Sequence, residues 1–180
     1  TDDPSRTATY EAISIARNSG AVISYDPNYR AALWSDPETA QLRMQSLIPY
    51  VDMMKISDEE TSLLTPYQDP EEAIQYLLRQ GVHLVAVTLG RDGALIGNEN
   101  GIVKAEGFSS HAVDTTGAGD AFNGALAACL SLGEQMEDAA LFASAFASVS
   151  VERVGAAQSI PTRQEAITRM QKYASLVVTS

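Results

Sequence analysis

Apolar residues along the first ninety positions alternate between helical spacing and short continuous runs. Each helical pattern is followed by an apolar run, and the pairs cover about 4–18 and 21–25, 38–48 and 51–56, and 70–80 and 83–89. Strands separated by helices usually run parallel with right-handed crossovers. The pattern therefore predicts an α/β fold with a layered, mostly parallel sheet that is covered by helices on both faces.

Two kinds of local signal support these boundaries. Asp3-Pro4, Asp36-Pro37 and Asp69-Pro70 each place an N-cap acceptor before a proline at the first helical position. The stretches 94–96 and 102–105 flank Asn98-Glu99-Asn100-Gly101, which predicts an antiparallel hairpin at the edge of the sheet.

After Asp114 the pattern changes to three consecutive helices. The first has an apolar face that should pack on the sheet, formed by Ala118, Ala121, Phe122, Ala125, Leu126, Cys129 and Leu130. The second, about 136–152, is apolar nearly all round and should be the most buried. The third begins with the capping box Thr162-x-x-Glu165 and carries an apolar face of Ala166, Ile167, Met170 and Tyr173. We find no internal repeat or linker, and residues 1–180 are predicted to form a single domain.

Composition narrows the functional classes. Lys and Arg number 12 against 23 Asp and Glu, giving a net charge of −11, and the basic residues are scattered, so nucleic acid is a poor partner. The longest nearly apolar run, 139–151, is too short to span a membrane. A single Cys129 excludes an internal disulfide and a cysteine-based zinc site. The chain begins at Thr1 without a signal sequence. We expect a cytoplasmic protein and a piece of a longer one.

The most informative stretch is the glycine-rich loop that runs from Asp114 into the next helix. Gly117 and Gly119 let the backbone approach a ligand closely, and the helix N-terminus attracts anionic oxygens. Asp120 could take a proton from a hydroxyl that attacks a phosphoryl group. A purely structural helix start is the alternative. No Gly-x-Gly-x-x-Gly follows a strand and no lysine follows a glycine as in Walker A, so a dinucleotide-binding dehydrogenase and a P-loop ATPase lose support.

Five stretches resemble, in order along the chain, the motifs of the ribokinase-like (PfkB) carbohydrate kinases. They are SYDPNYRAALW, KISDEE, TLGRDG, DTTGAGDAFNG and RVGAAQSIP. The fourth resembles the C-terminal signature of that family, and the first is most similar to the bacterial and plant fructokinases. The resemblance implies a ribokinase-like three-layer α/β/α fold and ATP-dependent phosphorylation of a sugar hydroxyl.

By the same resemblance, Asp120 is the base, and the backbone N–H groups of Gly117, Ala118 and Gly119 stabilise the transferring phosphoryl group. Glu60 acts on Mg²⁺ through water. Ser57 stands where many members have Asn, and Ser57-x-x-Glu60 is also a good capping box, so a structural role is the alternative. Asn28 and Arg30 would lie near the phosphates, although Asp26-Pro27-Asn28 could equally be a plain turn.

The resemblance also assigns Thr88, Gly90 and Gly93 to the nucleotide site, with a tight hairpin turn as the alternative. Ser144 aligns with an Asn that touches the nucleotide base in similar proteins; a small polar residue tolerated in a buried helix is the alternative. Positions that enclose a monovalent cation such as K⁺ in many relatives are matched by Asp114, Thr116, Ser150, Gly155 and Ser159.

Four further residues stay outside the predicted site. His83 and His111 are each isolated from a second ligand at metal spacing, and His111 is expected in a loop over the nucleotide. Arg91 and Arg153 flank the nucleotide-like motifs, but solvated surface charge is the default interpretation.

The matches represent only the later part of the family pattern. The N-terminal strands, most sugar-contacting residues and the β lid of that family have no counterpart here. We therefore expect the catalytic portion of a fructokinase-like kinase that is inactive alone, with small-molecule sugar and ATP as ligands. A non-catalytic nucleotide-binding relative and a kinase for 2-keto-3-deoxygluconate or a nucleoside are the alternatives. An unpaired sheet edge is predicted, which favours a homodimer or pairing with the missing segment.

Overall fold

A computed structural model describes residues 3–177. Within that range the α-helices are α1 (Ser5–Asn18), α2 (Pro37–Gln45), α3 (Thr61–Leu64), α4 (Pro70–Arg79), α5 (Ala118–Ser131), α6 (Met136–Ser150) and α7 (Arg163–Val177). The β-strands are β1 (Ser24–Tyr25), β2 (Met53–Ser57), β3 (Leu84–Thr88), β4 (Gly93–Asn98) and β5 (Gly101–Glu106). The order of these elements confirms the predicted alternation of helices and strands followed by three helices.

The strands belong to one sheet in the order β1-β2-β3-β4-β5. β1 runs parallel to β2, with Ser24 opposite Met53 and Tyr25 opposite Met54. β4 and β5 are neighbours joined by only two residues, so they are antiparallel, as a hairpin requires. The sequence predicted a longer first strand over 21–25. It is shorter because the N–H of Ile23 donates to Oδ2 of Asp52 at 2.8 Å instead of to a neighbouring strand.

The chain divides into two compact units. The first runs to Val87 and includes Gly97–Ile102; the second contains Thr88–Ile96 and the chain from Val103 onward. The assignment of a single domain stays a prediction.

Strands β2 and β3 and helix α4 contribute to the core of the first unit. Met53, Met54 and Ile56 of β2 are buried. The apolar stripe of α4 is buried at Ile74 and Leu77. Helix α1, in contrast, has no buried residue.

Two of the three Asp-Pro helix starts are as predicted. Oδ1 of Asp36 accepts the N–H of Thr39 at 2.7 Å, and Oδ1 of Asp69 accepts the N–H of Glu72 at 2.9 Å. The prediction is wrong at Pro4, which is the N-cap rather than the first helical residue. There Asp3 accepts the hydroxyl of Thr7 at 2.7 Å, one position too far along the helix for a cap.

Three helices dominate the second unit. The apolar face of α5 is buried as predicted, including Phe122, Leu126 and Cys129. Helix α6 buries nine of its 15 residues and packs against both α5 and α7, because its many alanines let the neighbouring helices approach. The capping box of α7 is present, with the N–H of Thr162 donating to Oε2 of Glu165 at 2.7 Å. Within residues 3–177, the structure contains no helix with the length and hydropathy needed to cross a membrane.

Candidate functional site

The second unit contains a cavity of about 250 Å³. Four parts of the chain line it: the end of β3 with the turn that follows, the segment between β5 and α5, the first turn of α5, and the middle of α6. The lining is mostly apolar, with Phe108, Phe122 and Val151 among its residues. A cleft with apolar walls and a few convergent polar groups is the usual form of a small-molecule site.

The first turn of α5 forms one end of this cavity. Gly117 precedes the helix with φ +79°, and a Cβ at this position would lie 3.0 Å from Cβ of Ala156 and 3.1 Å from its Cα. Only glycine therefore fits the turn without strain. Ala118 and Gly119 line the cavity directly. The sequence thus places a helix N-terminus, with its partial positive charge, at the cavity wall.

The amide groups of this turn differ in availability. Within the described residues, the N–H groups of Gly117 and Gly119 have no backbone acceptor, whereas the N–H of Ala118 donates to the carbonyl oxygen of Thr115 at 3.2 Å. Two of the three predicted phosphoryl contacts thus have an available donor, and the third is engaged in a local turn. Asp120 follows in the same turn and is exposed. An exposed carboxylate beside two available N–H groups can accept a proton next to a bound anion.

The end of β3 supplies a second wall. Thr88, Gly90 and Gly93 all line the cavity, so the three predicted nucleotide-site residues lie together. Gly93 has φ +94°, and a Cβ there would lie only 2.0 Å from the carbonyl oxygen of Ala105. The tight hairpin turn offered as the alternative is therefore present at the cavity itself. Arg91 also lines the cavity, which the sequence did not predict.

Helix α6 places Ser144 on the cavity wall. This side chain is buried, with 6% of its surface exposed, and its Oγ has no hydrogen-bond partner in the part of the chain that the structure describes. Buried hydroxyl groups in native proteins are nearly always hydrogen-bonded, so the unpaired hydroxyl of Ser144 is an unusual feature of this wall. The oxygen Oδ1 of Asn123, one turn after Asp120, is likewise buried without a partner among the described residues.

The residues assigned to a monovalent cation are held by local hydrogen bonds. Oδ1 of Asp114 accepts the N–H of Thr116 at 2.9 Å, and Oδ2 accepts the N–H of Gly155 at 2.9 Å. Hydrogen bonds from the Thr116 hydroxyl, the Gly155 N–H and the Thr116 N–H lower the pKa of Asp114 to about 2. The hydroxyls of Ser150 and Ser159 donate to carbonyl oxygens within their own turns, at 2.8 and 2.7 Å. Asp114, Thr116 and Gly155 are thus brought together by hydrogen bonds.

The first unit contains the remaining predicted residues. Oε1 of Glu60 accepts the N–H of Tyr29 at 2.7 Å, and Oε2 accepts the N–H of Ser57 at 2.8 Å and its hydroxyl at 3.1 Å. Both carboxylate oxygens are therefore already hydrogen-bonded, as the capping-box alternative expects. Asn28 has φ +47° and donates its N–H to Oδ1 of Asp26 at 3.1 Å, the geometry of an Asx turn. Arg30 is exposed.

One ion pair of the first unit was not predicted. Nζ of Lys55 lies 3.1 Å from Oδ2 of Asp26, and the two side chains are only 8% and 14% exposed. Burial raises the pKa of Asp26, and the nearby Lys55 ammonium partly opposes that increase. The signal in the sequence is a lysine inside the apolar run Met53–Ser57, because lysine is rarely buried without a partner.

The two histidines each lie beside one acidic residue. Nδ1 of His83 lies 3.6 Å from Asp52 in an exposed pair, and the N–H of His111 donates to Oε1 of Glu152 at 3.3 Å. Arg153 pairs with Glu165. Between residues 3 and 177, no group of three or more His, Cys, Asp or Glu side chains is arranged to hold a metal ion.

Known proteins resemble this chain over nearly its whole length. Fructokinase-1 of Oryza sativa subsp. japonica is 36% identical over 177 residues, which cover 94% of this chain and 55% of the relative. A double mutant of the fructokinase from Vibrio cholerae O395, solved with fructose, ADP and a potassium ion, superimposes with a TM-score of 0.86 at 32% identity, covering 93% of this chain and 56% of the other. A fructokinase from Xylella fastidiosa with bound ATP gives a TM-score of 0.83 at 25% identity, covering 97% and 59%.

These structural neighbours give the fold, which is ribokinase-like. The chain spans 53–55% of the length of three curated plant fructokinases that it matches. Residues 1–163 match the family described as pfkB family carbohydrate kinase. The chain therefore belongs to the pfkB family of carbohydrate kinases.

Proposed function

We propose that the chain supplies the nucleotide-binding and phosphoryl-transfer part of an ATP-dependent sugar kinase of the fructokinase type. The observation that carries this proposal is the cavity whose apolar walls end at the first turn of α5, immediately before the exposed Asp120. The apolar part suits the base of a nucleotide, and the helix N-terminus suits its phosphates. We propose Ser144, a lining residue of the same cavity, as a contact with the base.

Each residue of the α5 turn has a role in this reaction. The oxygen of a sugar hydroxyl attacks the terminal phosphorus of ATP, the bond from that phosphorus to the ADP oxygen breaks, and Asp120 accepts the hydroxyl proton. The N–H groups of Gly117 and Gly119 stabilise the charge on the transferring phosphoryl group, with Ala118 joining if its bond to Thr115 opens. Positioning and electrostatic stabilisation supply most of the catalysis in phosphoryl transfer.

Enzymes that transfer phosphoryl groups from nucleotides bind the phosphates together with Mg²⁺. We propose that Mg²⁺ binds at this site as well. Both oxygens of Glu60 already accept hydrogen bonds, so Glu60 suits contact with a hydrated Mg²⁺ through water and not direct ligation. We propose Asn28 and Arg30 as phosphate contacts, and Thr88, Gly90 and Gly93 as nucleotide contacts.

For a monovalent cation such as K⁺ we propose oxygen donors from Asp114, Thr116, Ser150, Gly155 and Ser159. Hydroxyl, carboxylate and carbonyl oxygens are the ligands that hard cations prefer. The hydroxyls of Ser150 and Ser159 donate to carbonyl oxygens and so keep their own lone pairs available to a cation. Hydrogen bonds lower the pKa of Asp114 to about 2, so its carboxylate keeps its negative charge even in mildly acidic solution.

Fructose is the proposed acceptor, because the curated relatives named above are fructokinases. Since the chain spans about half of their length, we propose that it binds ATP alone but phosphorylates sugar only when the remaining part of such a kinase is supplied. A homodimer formed through the edge of the first unit is the proposed assembly of the chain by itself.

The test uses a fusion in which this chain replaces the matching part of rice fructokinase-1. Fructose-dependent ADP release is measured for the fusion, for Asp120→Asn, and for the control Asp138→Asn, which changes an exposed aspartate in the first turn of α6. We expect Asp120→Asn to lose at least about 100-fold in rate while its affinity for ATP changes less than about twofold. The control should keep full activity. Comparable rates for the Asp120 variant and the unmodified fusion would refute the proposed base.

A further inference from the structure

Arg169 of α7 joins three parts of the second unit. Its Nη1 donates to the carbonyl oxygen of Ser109 at 2.8 Å and to Oγ of Ser148 at 3.4 Å, and its Nη2 donates to Oε2 of Glu152 at 2.8 Å. The Arg169 side chain is 19% exposed and that of Glu152 is 33% exposed, so the ion pair is partly shielded from solvent. A partly buried, hydrogen-bonded ion pair is stronger than a surface pair.

The same ion pair holds the segment that leads into α5. The other oxygen of Glu152, Oε1, accepts the N–H of His111 at 3.3 Å. Residues 107–113 contain no helix or strand, so their position depends on contacts of this kind. The ring of Phe108 adds an edge contact with Tyr173 of α7, with the ring centroids 5.1 Å apart.

This segment is also a wall of the cavity. Phe108, Ser110 and Ala112 line it, as does Ser148, the second acceptor of Arg169. Arg169 and Glu152 themselves do not line it. Arg169 also lies outside the family match, which covers residues 1–163.

We propose that the Arg169–Glu152 ion pair fixes the position of residues 108–112 and thereby sets the affinity of the cavity for the nucleotide. The inference rests on the proposed function, because it takes the cavity to be the ATP site. Arg169 and Glu152 are positioning residues: they act through the segment and not on the ligand. When the segment is released, only a fraction of the molecules has the binding-competent wall, and the apparent Kd rises by the inverse of that fraction.

The residue type fits this role. A guanidinium is planar and presents five N–H donors in a fixed fork, which lets one side chain reach a carbonyl oxygen, a hydroxyl and a carboxylate together. A lysine at this position has one nitrogen and cannot span the same three acceptors. Arg169→Lys keeps the positive charge, and its affinity for ATP should therefore lie between those of the unmodified chain and of Arg169→Met.

The experiment titrates the 180-residue chain with Mg·ATP by isothermal calorimetry and compares it with Arg169→Met and Glu152→Gln. The control is Arg163→Met on the same helix, whose guanidinium pairs with Glu134 at 3.1 Å and lies 5.6 Å from the ring centroid of Phe142; neither partner lines the cavity. We expect the Kd for ATP to rise about five- to tenfold in Arg169→Met and Glu152→Gln and to change less than about twofold in the control.

Hydrogen exchange separates positioning from general stability. In the variants of Arg169 and Glu152, the amides of residues 109–113 should exchange faster without nucleotide and regain protection at saturating ATP, while amides of α5 stay unchanged. The Kd for ATP of the double variant Arg169→Met/Glu152→Gln should be close to that of Arg169→Met, because each single change already breaks the Arg169–Glu152 ion pair.

The outcomes are distinguishable. Failure of the unmodified chain to bind ATP overturns both this inference and the proposed nucleotide site. Normal ATP binding with an unchanged Kd in Arg169→Met overturns this inference alone, and so does an equal loss of affinity in the Arg163→Met control.

Discussion

At the scale of single residues, the buried Lys55–Asp26 pair shows how strongly one side chain depends on its partner. Taking a carboxylate out of water raises its pKa, and burial does so for Asp26 despite the opposing Lys55 ammonium. Removing one partner of a buried pair leaves the other charge uncompensated, which costs about 3–5 kcal/mol. The pair is therefore a place where a single substitution should have a large effect.

We expect Lys55→Met to lower the free energy of unfolding by about 3 kcal/mol at pH 7. The folded-state pKa of Asp26 is raised above its unfolded value, so the folded state binds the proton more readily, and acidification favours folding at this site. The loss should therefore shrink as the pH falls towards 4. Urea unfolding at pH 7 and pH 4.5 measures this, with Lys104→Met, which breaks an exposed pair with Glu106, as the control. A loss that does not change with pH contradicts the mechanism.

Asp114 has the opposite dependence on pH. Hydrogen bonds lower its folded-state pKa to about 2 from the usual 3.8, so the ionised form stabilises the fold. This contribution is complete above about pH 4 and disappears as the pH falls through about 2. We expect Asp114→Asn to unfold at lower urea concentration than the unmodified chain at pH 6, with a difference that narrows at pH 2.5. Parallel pH curves for the two proteins would show that the carboxylate charge is not involved.

At the scale of elements, the N-cap of α4 is a local feature that the sequence encodes directly. Asp69→Ala removes the acceptor of the Glu72 N–H, and we expect it to cost about 1 kcal/mol of unfolding free energy. Asp69→Asn keeps an acceptor at the same position and should cost far less. Thermal unfolding of the two variants checks the prediction, and equal losses would assign the effect to charge instead of capping.

Elements that depend on interactions between residues close in sequence were predicted, and features that depend on residues distant in sequence were not. Caps, periodic helices and the β4–β5 hairpin depend on neighbours within a few positions, so the sequence predicted them. Helix α3 spans only four residues, too few to show a period, and was not predicted. The first strand is shorter than predicted because Asp52, twenty-nine positions away, takes the N–H of Ile23. The burial of Lys55 likewise depends on a distant partner.

The candidate site could likewise be predicted only where it depends on residues close in sequence or on the family resemblance. The glycine-rich start of α5 can be recognised in the sequence. Its structural reason is that Gly117 adopts a positive φ beside Ala156, where a larger residue would be strained. The resemblance to a family identified Thr88 and Ser144, which physical reasoning from composition would have passed over. The meeting of β3, the 107–116 segment and α6 around one cavity, and with it the role of Arg91 as a wall residue, depends on tertiary packing.

At the scale of the whole molecule, the net charge of −11 opposes both ATP binding and self-association. In the proposed nucleotide site the attraction must therefore be local, and the N–H groups of the α5 turn together with Arg91 would supply it. The first unit has a contrasting feature. β1 is the end strand of the sheet order, and Val22 just before it is 77% exposed, near in sequence to the 70% exposed Ile15. An unpaired edge with apolar residues favours pairing with another chain.

Repulsion between the acidic chains and pairing at the β1 edge oppose each other, which predicts that self-association depends on salt. Raising NaCl from about 0.05 to 0.5 M shortens the Debye length from more than 10 Å to less than 8 Å, which screens repulsion between the acidic chains but leaves edge pairing intact. We expect dimer to increase with salt in sedimentation velocity. Val22→Lys should suppress it, because it puts a charge in place of an exposed apolar side chain directly before the edge strand β1. Val154→Lys makes the same change at a 73% exposed valine of the second unit and should leave the dimer fraction nearly unchanged. Equal suppression by both variants would mean that net charge, and not the β1 edge, controls the assembly.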